Sequence, residues 1–193
     1  MDFDGDGTSL SEKWLIVELY PIRSAFYQGN YQSVINEPVD NLTRSDEGQL
    51  YIYRARIELG QAETVVAEME DAGTTGAGFE AVKSYAEYRI GKREKALEGL
   101  DELIQADGDD DTVQVLGATM LHMEGRTDEA LNLLSKHENN LEAYLRPKDK
   151  VDDRVALIIQ LRLAQHNIDA AAKELSATKS WAQDSLLAQL CEV

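Results

Sequence analysis

The chain opens MDFDGDGT, in which Asp2, Asp4 and Asp6 alternate and Gly7 follows. Carboxylates at the first, third and fifth places, with glycine at the sixth, begin a calcium loop of the EF-hand kind, where hard oxygen ligands surround the ion. The rest of the pattern fails. The twelfth place should be a bidentate Glu, but it is Lys13, with Glu12 one place early, and no helix can enter a loop whose neighbour is Met1. Residues 1–8 are therefore read as an acidic, flexible N-terminus. Asp2, Asp4 and Asp6 are the candidate if the chain binds a metal, and calcium binding through them is the alternative function of a different class.

Other chemistry is sparse. His122, His137 and His166 have no second His or Cys at ligand spacing, which argues against zinc. The acidic run 107–111, DGDDD, has no distal ligand and reads as a helix-capping loop. Cys191 is alone, so a reducing compartment is expected. There is no glycine-rich phosphate loop, nucleophile elbow or Cys–His pair. The expectation is a protein that is not an enzyme and carries no cofactor. A formal net charge of −17 repels phosphate backbones and anionic lipid, which disfavours nucleic acid and membrane partners. No window approaches the roughly 18 apolar residues of a spanning helix, and no basic-then-apolar leader opens the chain.

What remains is surface, and the elements that would present it. Leu116–Leu134 reads as two helices meeting at Gly125, with Leu116, Met120 and Met123 at helical spacing before it and Ala130, Leu131 and Leu134 after it. Such an antiparallel hairpin is apolar on both sides and needs neighbours on each flank. If hairpins stack, a turn glycine followed five residues later by a small apolar residue should recur. Gly29 with Val34, Gly60 with Val65, Gly91 with Ala96 and Gly125 with Ala130 obey this, and a fifth copy has His166 in the glycine place and Ala171 after it. The steps are 31, 31, 34 and 41 residues. A period near 34 with two helices per unit is the tetratricopeptide signature. The predicted fold is all-α, a tetratricopeptide-like solenoid of about five repeats plus a partial sixth, over residues 9–193.

Along the chain, Ser9 and Glu12 have capping-box spacing and start the first helix. Pro21 is expected to kink or break that helix near Tyr20, and Pro38 to stop the second. The charged stretch 137–153 accounts for the longest step. Residues 180–193, with Trp181, Leu186, Leu187 and Leu190, read as another first helix with no partner, so the array is expected to be C-terminally incomplete and to offer an apolar edge for self-association.

Stacked first helices line an inner groove. Counting the turn glycine as place fifteen, inward places two, five, nine and twelve include Leu19, Arg23 and Phe26; Leu50, Arg54 and Ile57; Tyr85 and Tyr88; Thr119 and His122; Gln160 and Leu163. Tyrosine and arginine are frequent anchors of protein interfaces. The plainer reading of Leu19, Phe26, Ile57 and Leu163 is packing between neighbouring helices. An adaptor that binds a peptide segment of a partner protein is consistent with these features.

At 25–37, AFYQGNYQSVINE, the chain resembles the epsilon subunit of coatomer, the COPI vesicle coat. The likeness continues through Tyr53-Arg54-Ala55, residues 81–88 (AVKSYAEY), Asp128-Glu129-Ala130-Leu131, Ile168-Asp169-Ala170-Ala171 and Lys173-Glu174-Leu175, covering most of 19–190 but not the acidic start. The resemblance implies a non-enzymatic coat subunit. Its superhelix binds and stabilises the C-terminal domain of alpha coatomer in transport between Golgi and endoplasmic reticulum. It also implies a cytoplasmic protein, peripheral on Golgi membrane and COPI-coated vesicles, with partner contacts mapping onto Arg23, Tyr27, Arg54, Tyr85 and Tyr88.

Overall fold

A computed structural model describes residues 10–39, 45–135 and 153–179. Among them are ten α-helices and no strand: α1 Leu10–Tyr27, α2 Tyr31–Asn36, α3 Ser45–Glu58, α4 Ala62–Ala72, α5 Ala77–Arg89, α6 Arg93–Asp107, α7 Asp111–Met123, α8 Thr127–Ser135, α9 Asp153–Ala164 and α10 Ile168–Lys179. They pair as five hairpins, and each lies on the turn that the glycine spacing predicts. The Asp2–Asp4–Asp6 pattern, Ser9, the connection 136–152 and the segment 180–193 lie outside the described residues.

The turns show why the spacing recurs. Gly29, Gly60, Gly91 and Gly125 have φ of 74°, 82°, 93° and 78°, and His166 has φ 58°. Each turn ends the first helix with the same long bond: Asn30 N to Ala25 O, Gln61 to Arg56, Lys92 to Glu87, Arg126 to Leu121 and Asn167 to Arg162, all 2.9–3.0 Å. This is the Schellman closure, which requires a left-handed residue at the position before its donor. The carbonyl of that same donor residue then accepts from the backbone N–H of Val34, Val65, Ala96, Ala130 or Ala171, opening the second helix. One residue thus ends one helix with its N–H and begins the next with its carbonyl. The five donating N–H groups belong to residues only 0–3% exposed, so the small apolar residue after each turn is a core position.

His166 is the one non-glycine residue with positive φ among the described residues. A Cβ in the left-handed region costs about 1 kcal/mol. His166→Gly is therefore expected to raise the free energy of unfolding by about 0.5–1 kcal/mol, and Gly125→Ala to lower it by about 1 kcal/mol. A Cβ at Gly125 would meet nothing within 4 Å, so the cost there is conformational rather than steric. Urea unfolding of both variants checks the pair, and the opposite signs are the result to look for.

Pro38 ends α2, and Glu37 before it is extended at ψ 131°, as the residue preceding proline must be. Pro21 does not break α1, which runs through it. A proline forfeits one helical hydrogen bond, and the flanking Leu19 and Ile22 are anchored in the core. Asp110 caps α7, its Oδ1 accepting from Thr112 N at 2.8 Å and Val113 N at 3.0 Å, which is the capping role expected of the acidic run.

The described helices fall into two compact units. One comprises residues up to Thr74 together with Arg89–Gly91; the other comprises Thr75–Tyr88 and the described residues from Lys92 onward. The first is built on Leu19, Ile22, Val34, Val39, Tyr51, Ile52 and Ala55, where α1, α2 and α3 meet. α4 adds Ala62, Val65, Val66 and Met69, a single stripe at helical spacing. The second unit packs α7 against α6, α8 and α9, with Val113, Leu116, Ala118, Met120 and Leu121 buried from α7 alone.

Candidate protein-binding surface

In the first unit, four rings gather where α1, α2 and α3 meet. Phe26 lies edge-on to Tyr27 at 5.4 Å, Tyr31 at 5.5 Å and Tyr51 at 5.4 Å between centroids. Tyr27 and Tyr51 also bring their hydroxyls to 3.5 Å. The guanidinium carbon of Arg54 stands 4.6 Å from the centre of Phe26 and 5.1 Å from that of Tyr51. Aromatic edges and faces of opposite partial charge account for the ring geometry, and the ring quadrupole for the arginine. Tyr51 and Arg54 are three apart on α3, and Arg23 and Phe26 three apart on α1, so each pair shares a helix face. Arg23, Phe26, Tyr27 and Arg54 are partly exposed, so this cluster forms part of the molecular surface.

In the second unit, Tyr85 and Tyr88 are buried. The Tyr88 hydroxyl donates to Glu124 Oε1, and Arg93 lies 3.7 Å from that oxygen and 5.5 Å from the Tyr88 ring. Burial, then the hydrogen bond to the Glu124 carboxylate, then its charge push the Tyr88 phenol above its ordinary 10.0, with Arg93 pulling the other way. An acid whose value is raised by folding lends stability that is complete below its unfolded value and is lost as pH rises through its folded one. Tyr88→Phe is therefore expected to be less stable than the parent by about 1 kcal/mol at neutral pH, with the gap closing above about pH 10. Thermal melts of both proteins from pH 7 to 11 test this.

The structure thus brings Arg54 together with Tyr27 through Phe26 and Tyr51, sets Arg23 one turn from Phe26, and places Tyr85 and Tyr88 inside the other unit. Leu19 and Ile57 are buried, as packing between helices implies, whereas Leu163 is 47% exposed. Tyr31 and Tyr51 were not singled out from the sequence, although Tyr51 is one helical turn before Arg54. Arg154 was missed as well. It is 2% exposed, and its Nη1 lies 2.9 Å from Gln114 Oε1 and 3.0 Å from Asp111 Oδ1. Its place seven residues before buried Leu161 was the available signal. Asp111 is accordingly tied into this contact and is not simply a solvated loop carboxylate. Among the described residues, no three His, Cys, Asp or Glu side chains gather to hold a metal. No helix among them is long and apolar enough to cross a membrane.

These features define the class, an all-α, tetratricopeptide-like protein of packed helical hairpins. The sequence model described as coatomer epsilon subunit matches residues 16–193, and the chain belongs to that family. It is 31% identical over 181 residues to a probable coatomer subunit epsilon of Schizosaccharomyces pombe, an alignment covering 91% of this chain and 54% of that protein. Coatomer subunit epsilon of Caenorhabditis elegans is 32% identical over 133 residues, covering 65% of this chain and 45% of that one. Coatomer subunit epsilon-1 of Arabidopsis thaliana is 29% identical over 180 residues, covering 89% and 56%. The chain spans about half the length of the curated relatives it matches.

Proposed function

We propose that this chain serves as a non-enzymatic structural subunit of the COPI coat, acting in vesicle transport between Golgi and endoplasmic reticulum. Its task is to hold another protein, the C-terminal domain of alpha coatomer, from a cytoplasmic position peripheral to Golgi membrane and coated vesicles. The observation that carries this reading is the family match over residues 16–193, on a fold whose five hairpin turns are built alike. Arg23, Tyr27 and Arg54 are the direct contacts in this proposal, being partly exposed beside ordered rings that resist rearrangement on binding. Tyr85 and Tyr88, buried in this structure, contribute by fixing α5.

The test is co-purification of the full chain with the folded C-terminal domain of alpha coatomer. A complex that survives gel filtration is expected. Failure to form one, with short peptides binding instead, would replace this reading with that of a peptide adaptor.

A further inference from the structure

The turns carry a recurring pair of side chains. One stands three places before the left-handed residue, the other two places after it. Phe26 and Tyr31 have ring centres 5.5 Å apart, Arg93 stands 5.5 Å over the Tyr88 ring, and His122 Nδ1 lies 3.0 Å from Thr127 Oγ1. In the second turn the same places hold Ile57 and Ala62, 1% and 5% exposed. The pairing follows from the backbone, because the same bond closes each turn and the same carbonyl opens each second helix. In the fifth turn these places hold Leu163 and Ile168. Both are apolar, yet they are 47% and 68% exposed.

Elsewhere the next repeat helps to cover the pair. Tyr51 and Arg54 of α3 lie against Phe26, and Glu124, just past the end of α7, meets both Tyr88 and Arg93. Among the described residues no helix follows α10, and Leu163 and Ile168 stay at the surface. Two large aliphatic side chains set against each other gain from burial. The charges at this turn select what buries them. Asp169 adjoins Ile168 and is exposed, and Asp128, exposed as well, is tied to the turn by Gln165 Nε2 at 2.9 Å. Arg162, the basic residue beside Leu163, is half-buried. A second copy of this chain would bring the same carboxylates and another net charge of −17, so it is repelled. We infer that the fifth turn is a docking point for a partner-protein segment in which a large apolar side chain is flanked by lysine or arginine. This inference rests on the proposal that the chain holds a partner protein, and adds a contact in the second unit to those of Arg23, Tyr27 and Arg54 in the first.

Fluorescence anisotropy with the full chain and a labelled ten-residue peptide alternating Leu and Lys tests the inference, with Ala–Lys and Leu–Glu peptides as controls. At about 0.15 M salt the Debye length is about 8 Å, so the distant acidic surface is screened. The Leu–Lys peptide is expected to bind about tenfold more tightly than either control, the difference that burying one apolar side chain makes. Leu163→Gln combined with Ile168→Gln should remove the advantage over the Ala–Lys peptide. Both positions are exposed, so circular dichroism of the double variant should match the parent. Asp169→Asn should weaken Leu–Lys binding to a smaller extent. Failure of that peptide to bind, no advantage over either control, or unchanged binding by the double variant would overturn the inference. So would sedimentation showing dimers of the parent that the double variant does not form, because a second copy would then be the occupant. Capture of the alpha coatomer domain separates the two ideas. If the parent captures that domain but does not bind the Leu–Lys peptide, docking at the turn fails and the scaffold proposal stands. If the parent binds the peptide through the turn but does not capture the domain, the choice of partner fails and docking at the turn stands.

Discussion

Arg154→Ala is expected to destabilise the second unit by about 2–4 kcal/mol, among the largest losses available to a single polar side chain in this protein. The reason is an asymmetry. Arg154 is nearly inaccessible, and its Nη1 bridges Gln114 Oε1 on one side and Asp111 Oδ1 on the other. Gln114 is buried as well, and its amide nitrogen is committed to the carbonyl of Gly108 at 2.8 Å. Removing Arg154 thus leaves a buried amide oxygen without this donor and opens a cavity the length of an arginine. The Asp111 side chain is 43% exposed as a whole, yet the Oδ1 that faces Arg154 is buried, so its loss adds to that of Gln114.

Two further variants separate the contributions. Arg154→Met keeps most of the volume and should recover part of the loss, and adding Gln114→Leu should recover more, because the orphaned amide is then gone. Urea unfolding supplies the free energies. Hydrogen exchange should place the first loss of protection in α9 and the N-terminal turn of α7. A loss below about 1 kcal/mol for Arg154→Ala would show that the contact is dispensable.

Gly117→Val is expected to cost about 3 kcal/mol, whereas Gly117→Ala should change stability by less than about 1 kcal/mol. Gly117 lies in the middle of α7, where glycine is a poor helix former by about 1 kcal/mol relative to alanine. A Cβ added there would come within 2.9 Å of Leu100 Cδ1 and 3.1 Å of Leu133 Cδ2, methyl groups reaching in from α6 and α8. Both are ends of flexible side chains and can shift for a single methyl, so the helix gain and the crowding nearly cancel in alanine. Valine adds two more methyl groups with a stiff χ1, and α6 and α8 cannot both move aside. Thermal unfolding of the two variants distinguishes the possibilities. If valine were no worse than alanine, α7 would not be packed as tightly as these distances state.

The fold was legible to the extent that its signals are local. A turn glycine with a small apolar residue five places later is a short-range rule. It encodes a left-handed turn residue and an inward-facing position at once, so Gly29, Gly60, Gly91 and Gly125 could be found by counting. His166 shows the strength of that register. The fifth turn adopts the same conformation with a residue that disfavours it, because the helices on either side fix where the chain must reverse. At Pro21 the helix does not break. Its local rule predicted a kink or break, and the hydrophobic contacts of Leu19 and Ile22 carry the helix across it.

By itself the sequence determined the all-α class, the five hairpins, the places of their turns, and the family to which a match over most of the chain then assigned it. Only the tertiary structure decided which side chains meet. Arg154 finds Gln114 forty residues away, Tyr88 finds Glu124 thirty-six away, and Arg54 settles on a ring from another helix. Helical periodicity states which face a residue occupies and is silent on which helix lies opposite. That choice depends on how volumes and polar groups from distant parts of the chain can be satisfied together, and packing settles it only when the helices come into contact.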